Sequence, residues 1–522
     1  VLGRPELADN GWWSAAFPVM RRTTPGTVSF RHDALRQAAH ESLPFRRRRQ
    51  LHARIAVDAL ERGGVADAQL AFHYEQAGML AEAYATASVA GREAMASGAV
   101  AEAVALLERA VRLADGVDRA SVGQLLIELG EARKLLGDLD GADASFVSAG
   151  RRRLDPRSYA RACHGRADIA LSRSRFPHAR RLCRTGLTLL EPYGDEVDDL
   201  RGRLLLDRAA VLDLSGRHDA SLIPATTAHA LAVRTGNRTL EGMADLHLGM
   251  AHLAHMRSDA LDCVDAAVAI FEEIGHDRYL NSALNNSGLI AMYLGEWDLA
   301  IDRYLRAAVH GERCGNTTDR AVVEMNIGFL LFRQGRLDEA EAHARRSLRT
   351  FDVVGIPQQG GLSRYLLSEI AAADGRLDEA RRTMASARAT FVELGDAAMI
   401  VDCDVTTMEQ LLLAGRTAEV EAMRDDVASM LDAAEVPVVI AFERVAGHLE
   451  VLAGVAGGTD RLERALASAR EHGLLYDELL CLRAIIAADA DARAAVRYPS
   501  DRIERARDDH EALVSRLGVV GY

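Results

Sequence analysis

The sequence predicts an all-α solenoid, a stack of helical hairpins repeating about every 40 residues, and three observations carry that prediction. First, one hairpin is written out twice between Tyr279 and Gly355, as LNNSGLIAMYLGEWDLAIDRYLRAAVHGERCGN and then EMNIGFLLFRQGRLDEAEAHARRSLRTFDVVGI. Second, turn positions fall at Gly137, Ser174, Gly216, Met256, Gly295, Gly335, Gly375 and Gly415, in steps of 37, 42, 40, 39, 40, 40 and 40. Third, a separate glycine series at Gly194, Gly236, Gly275, Gly315, Gly355 and Gly395 marks the ends of the second helices, usually followed by Asn, Asp or His. That pattern suits a left-handed helix C-cap. With aromatics at 5%, the interior reads as Ala/Leu-built, which fits closely packed helices.

Taken in order, residues 1–26 read as irregular, with Trp12, Trp13, Phe17 and three prolines. A short strand from Val28 to Phe30 runs into a helix carrying Ala34, Leu35 and Ala38, which Pro44 breaks. A second amphipathic helix follows, with Leu51, Ile55 and Ala59 at i, i+4, i+8. Residues 66–114 form three helices with turns at Gly78 and Gly98, and the repeats proper run from Ser121 to Gly473. Pro177 falls in a first helical turn, where its missing N–H is harmless. Pro357 falls between repeats. The last helix begins near Asp501, with Glu504 placed as its capping partner, and its face of arginines and acids suits a terminal cap. The expected divisions are therefore 1–63, 64–115, 116–497 and 498–522.

Each written-out hairpin places a small residue in its first helix (Gly288, Gly328), a glycine seven later and an alanine five further on (Ala300, Ala340). Small residues there let two antiparallel helices approach closely. This resembles the tetratricopeptide repeat: Gly288, Ala300, Tyr304 and Ala307 stand in its register. Leu284 and Ser287 depart from it, where the family favours Trp and Leu. The resemblance implies a right-handed superhelical solenoid whose first helices line a concave face. Positions flanking the small residue then point into the groove and select His247 and Met250, Asn286, Leu289 and Tyr293, Asn326, Phe329 and Arg333, and Tyr365 and Glu369. Asn amides can grip a peptide backbone, and Met and aromatic side chains give adaptable apolar contact. The alternative is that these residues only pack between repeats. Ala300 is expected to face Gly288, and Arg303 to lie on the solvent side of the same helix.

The string FRHDALRQAAHESLPFRRRRQLHARIA, residues 30–56, resembles the end of the winged-helix subdomain closing a signal-transduction ATPase module. Such modules occur in large actinobacterial regulators, of the class III nucleotide cyclase type or the LuxR type, with repeat tails. The resemblance implies that residues 1–63 are a winged-helix remnant, and that His32 of the Arg31-His32-Asp33 triplet senses a bound nucleotide in an intact parent. Read without a parent, Asp33 caps the helix and His32 packs. The run Arg46–Arg49 reads as a solvated face or a contact to such an ATPase domain.

Composition excludes several classes. The net charge of −13 argues against nucleic acid as a partner for the whole chain. Lys134 is the single lysine, flanked by Arg133 and Leu135, so no Walker A motif exists; ATP and Mg are expected only of an ATPase domain outside this chain. Six scattered cysteines without C-x-x-C suit neither zinc nor a disulfide framework and read as buried thiols in a reducing cytoplasm. His247, His252 and His255 cluster in HLGMAHLAH, but no carboxylate completes a metal set. Neither G-x-S-x-G nor H-E-x-x-H occurs, so no catalytic residue is assigned. The sequence thus reads as the cytoplasmic sensor and scaffold arm of a multidomain ATP-dependent regulator, binding a protein or peptide. The alternatives are a free-standing repeat adaptor and a LuxR-type regulator without its DNA-binding domain. Because Val1 opens the chain, it reads either as a fragment or as a GTG start.

Overall fold

The computed structural model describes residues 19–24, 27–62, 67–118, 121–152, 154–173, 175–215, 217–254, 257, 259–313, 317–455, 457–490 and 498–520. The chain divides into two compact units, Val1–Ser215 and Gly216–Tyr522. The first opens with two antiparallel strands, β1 (Met20–Thr24) and β2 (Thr27–Phe30), with Met20 opposite Phe30. The stretch expected to be irregular thus contains a strand. It pairs with β2, whose residues follow that stretch in the chain.

Among the described residues ten α-helices follow in this unit: α1 (Asp33–Glu41), α2 (Phe45–Arg62), α3 (Asp67–Ala77), α4 (Leu80–Ala96), α5 (Val100–Val117), α6 (Val122–Leu136), α7 (Leu139–Gly150), α8 (Pro156–Ser172), α9 (Phe176–Leu190) and α10 (Asp198–Asp213). From α2 to α10 each packs on its sequence neighbour, as hairpins do, while α1 lies against β2. Pro177 stands in the first turn of α9, as expected. Where α1, α2 and α3 meet, three imidazoles form a chain. His40 Nε2 lies 3.1 Å from His52 Nε2, and His52 Nδ1 lies 2.8 Å from His73 Nδ1.

The second unit holds α11 (His218–Thr235), α12 (Arg238–Ala254), α13 (Ala260–Glu273), α14 (Asp277–Tyr293), α15 (Trp297–Arg313), α16 (Thr317–Arg333), α17 (Leu337–Val354), α18 (Pro357–Ala373) and α19 (Leu377–Leu394). It continues with α20 (Ala397–Leu413), α21 (Thr417–Ala428), α22 (Val436–Ala453), α23 (Gly458–Glu471), α24 (Leu475–Ala490) and α25 (Ser500–Leu517). The even-numbered helices from α12 to α24 pack in series, first helix on first helix, and each odd-numbered partner closes its hairpin. Pro357 begins α18 rather than separating two repeats, which its fixed φ and missing N–H allow. α25 begins at Ser500, and Asp501 in its first turn pairs with Arg505 at 2.8 Å instead of forming a capping box.

Of the described members of the two glycine series, all but one do what the spacing predicts. Gly137, Gly295, Gly335, Gly375 and Gly415 turn the chain at φ between +70° and +87°, and Gly236, Gly275, Gly355 and Gly395 end second helices at +67° to +79°. Only glycine adopts that conformation without strain. Gly194 is the exception, with φ −81°, and it leads into a turn of 3-10 helix instead of capping α9. Ser174, Gly216, Met256 and Gly315 lie outside the described residues.

In the hairpins α12/α13, α14/α15 and α18/α19 a glycine of the first helix faces an aromatic ring of the second. A Cβ at Gly288 would lie 2.7 Å from the Tyr304 ring and 3.2 Å from the Ala300 carbonyl. Gly242 meets Phe271 in the same way, at 2.7 Å, and Gly361 meets Phe391 at 2.9 Å. Ala300, Tyr304 and Ala307 are fully buried. Arg303, expected in solvent, is instead mostly buried and reaches back to Asp265 on the preceding hairpin at 3.2 Å. Neighbouring repeats lean on one another through that face of the second helix, so an arginine there is a strut.

Ala300→Leu adds three heavy atoms at this contact and should cost about 1–3 kcal/mol, with new protease cleavage confined to residues near 280–320. The control is Leu305→Ala, at a side chain left 55% exposed, which should change stability by less than about 0.5 kcal/mol. Thermal melting and limited proteolysis of both variants check this. Equal melting temperatures would mean that the helices do not touch at Ala300.

Candidate functional site

In the second unit the first helices from α14 to α22 have first-helix neighbours on both flanks and their hairpin partners behind, which leaves one inward face. Along that face run Tyr293 (α14), Arg333 (α16), Tyr365 and Glu369 (α18), Asp402, Thr406 and Glu409 (α20), Arg444 (α22) and Tyr476 and Asp477 (α24). Most of these side chains are half-buried, as expected of a concave lining that still meets water.

The lining is polar and highly ordered. The Arg333 guanidinium lies 5.1 Å from the Tyr293 ring centre and 5.0 Å from that of Tyr476, a cation held between two aromatic faces. The Tyr365 hydroxyl donates to Asp402 Oδ1 at 3.0 Å and stands 2.8 Å from Thr406 Oγ1. Arg444 donates to both Glu409 oxygens, at 2.6 and 3.0 Å, a fork geometry that favours both charges.

Three carboxyls carry the electrostatic tension. Burial, then the charges of Asp402 and Glu409, push Glu369 up to about 8, against the opposing pull of Arg333 and Arg444. Burial, reinforced by Glu435 and Asp477, pushes Asp402 up to about 7 although the Tyr365 hydrogen bond favours its charged form. Burial also raises Asp477 despite Arg333 and Arg444. Burial works the same way on Glu409, but the Arg444 fork outweighs it and holds that carboxyl below its ordinary range. Among the described residues no hydrogen bond or ion pair reaches Glu369.

Of the residues selected from sequence, Tyr293, Arg333, Tyr365 and Glu369 lie together in this lining. Asn326 is buried, its amide donating to Asn285 Oδ1 at 2.9 Å, and Asn286 accepts from Asn285 at 3.5 Å. Those amides link neighbouring first helices. Leu289 and Phe329 are half-buried against the main core, and Met250 packs beside Leu253, Val264 and Ile290. His247 is half-buried and already engaged with a neighbour. Asp402, Thr406, Glu409, Arg444, Tyr476 and Asp477 were not selected. Register gives the signal for some of them: Glu409 stands six residues before Gly415 as Glu369 does before Gly375, and Arg444 ten before Gly454 as Tyr365 does before Gly375.

Elsewhere, His32 is exposed at the head of α1. Asp33 does not cap that helix, because it stands one position inside and pairs with Arg36 at 2.6 Å. In the arginine run, Arg49 Nε donates to the Ala77 carbonyl at 2.9 Å, which satisfies the end of α3, while Arg46 and Arg47 are exposed. His252 does have a carboxylate, Asp259, at 3.1 Å, but among the described residues no group of three or more His, Cys, Asp or Glu could hold a metal; His255 lies outside them. The described cysteines are free, and burial raises the thiols of Cys163, Cys403 and Cys481 to between about 11 and about 12. No described helix is long and apolar enough to cross a membrane.

The raised carboxyls set a pH dependence. Protonated, Glu369 and Asp402 fit the folded state. The stability this gives is full below the unfolded carboxylate range near 4, and is lost as pH rises through about 7 and about 8. Glu369→Gln should therefore match the parent at pH 5 and exceed it at pH 9 by about 1–2 kcal/mol, less than the full shift because the lining meets water. Melting curves at both pH values check it. A variant that tracks the parent throughout would mean that Glu369 ionises freely.

Residues 279–352 and 319–393 match the tetratricopeptide repeat model. No curated protein matches the sequence. Among solved structures, the chain resembles a Rap protein complexed with Competence and Sporulation Factor, at 13% identity and TM-score 0.54, over 69% of this chain and 98% of that one. A signal transduction ATPase with numerous domains and a tetratricopeptide repeat sensor, from Pyrococcus horikoshii, aligns at 13% identity and TM-score 0.44, over 72% of this chain and 57% of that one. NprR in complex with its cognate peptide NprX aligns at 13% identity and TM-score 0.44, over 67% and 98%. Residues 279–393 thus carry tetratricopeptide repeats, and the fold of the chain is an all-α stack of hairpins of that kind.

Proposed function

We propose that the inner face of the second unit binds a peptide or protein segment carrying basic groups. The observation behind this reading is the lining itself. First helices from α14 to α24 turn polar and aromatic side chains to one face, and carboxyls (Glu369, Asp402, Glu409, Asp477) outnumber guanidiniums (Arg333, Arg444). A cationic side chain or amino terminus set among them would let Glu369 and Asp402 ionise, and Tyr293 and Tyr365 would offer it flat apolar contact. The Rap protein that shares the fold is complexed with Competence and Sporulation Factor. Chemistry on the occupant is not part of the reading, which assigns the face to binding.

Peptides selected from a random display library against the whole chain should be rich in Lys and Arg. Their affinity, followed by fluorescence anisotropy, should fall at least tenfold (about 1.4 kcal/mol) in Glu369→Lys and Asp477→Lys, and should weaken with salt. Acidic or charge-indifferent winners, or binding untouched by both substitutions, would overturn the reading.

We further propose that this binding face serves a larger ATP-dependent regulator as its sensor arm. The support is the winged-helix-like string at residues 30–56 and the exposed place of His32, where a nucleotide held by another domain could meet it. The coding sequence upstream of Val1 tests this: a P-loop in frame supports it, and a stop codon overturns it.

A further inference from the structure

The last hairpin of the chain does more than end the stack. Leu475 at the head of α24 and Leu517 at the end of α25 press on Gly295, the turn between α14 and α15; a Cβ there would lie 2.6 and 3.2 Å from them. Tyr476 covers Arg333 and leans on Trp297, ring centres 6.2 Å apart. The Val520 N–H donates to the Gln334 carbonyl at 2.8 Å, on the turn between α16 and α17. Trp297, Leu517 and Val519 are all buried in these contacts. One core cluster therefore runs from Ala267 to Val519 and joins hairpins far apart in sequence.

The hairpins from α14 to α25 consequently form a ring with one seam. Every other joint in the ring lies between sequence neighbours, linked by the chain and by a full hairpin face. The seam alone has no chain through it, so the terminal hairpin can open as one cooperative unit, losing its helix protection, while the other hairpins stay folded, as local openings do in a stacked array. We propose that α24, α25 and Val519–Val520 form a clasp that opens and recloses the inner face as one body. Closing it brings Asp477 to the carboxyls of α20, Asp402 and Glu409, and lays Tyr476 over Arg333. If the inner face holds a basic occupant, as proposed above, that occupant would favour the closed ring. The clasp itself does not depend on that reading.

Hydrogen exchange with mass spectrometry on the whole chain tests the clasp without any ligand. Amides of α24 and α25 should exchange together, at least tenfold faster than those of α16 to α19. Leu517→Asp should speed them at least another tenfold, along with residues 294–297 and 334–337, and leave α16 to α19 protected. A Gln334→Cys, Val520→Cys pair joins backbones that already meet; oxidised, it should slow α24 and α25 to the rate of α16 to α19, and reductant should reverse this. Uniform exchange across the unit, or loss of protection in α16 to α19 alongside the clasp, would overturn the proposal. Should Leu517→Asp fail to fold, the cysteine pair decides: no slowing on oxidation overturns it. A clasp that exchanges as expected while no basic peptide binds would leave this inference standing and remove the other.

Discussion

Everything in the second unit depends on how closely two antiparallel helices approach where glycine meets ring. At Gly288 there is no room for a Cβ beside Tyr304, so the hairpin exists in this form only because that position is glycine. The same pairing at Gly242 with Phe271 and Gly361 with Phe391 fixes the depth of other hairpins. Elsewhere the approach is as close without a ring, Gly249 meeting Val264 and Gly447 meeting Leu462, and tight packing of every hairpin keeps successive first helices in line. The inner face is a product of that regularity.

A face excluded from packing can hold chemistry that a core would reject. Glu369 without a partner would be intolerable deep in a leucine core, and here it survives because water reaches the lining and a proton can stay on it. Arg333 shows the opposite solution, a fixed charge made comfortable by two tyrosine faces. Between repeats the charges are paired instead: Arg303 with Asp265, Arg388 with Asp404, Arg444 with Glu409. Paired charges set the register of neighbours, and the unpaired carboxyl marks the face whose groups have not all been used for folding.

Much of this was legible because it is local. Turn glycines, cap glycines and the small residue facing Ala300 recur within a 40-residue window, and periodicity reports windows. Tyr293, Arg333, Tyr365 and Glu369 could be placed on one face by the same register. The errors were at longer range or finer grain. Arg303 was read as solvent-facing because a single helix wheel shows an arginine away from its own hairpin, but its partner Asp265 belongs to the hairpin before. Gly194 matched the spacing without adopting the conformation, since spacing does not record φ. Asn326 and Asn285 bond each other because neighbouring first helices come close enough to share an amide, a distance no repeat length states.

The seam is the clearest case of what periodicity hides. Nothing in the tail GVVGY or in Leu475 announces that they meet Gly295 and Gln334, because closure depends on the small rotation between hairpins summed around the unit. An error too small to see in one repeat would leave the ring open after five. Closure is therefore a property of all the intervening interfaces at once. A change in α18 or α20 could loosen the seam without touching it, since each hairpin angle is carried around to α24. The carboxyls on α18 and α20 sit at such angles, and the groups that would meet an occupant lie on the helices that set whether the ring can close.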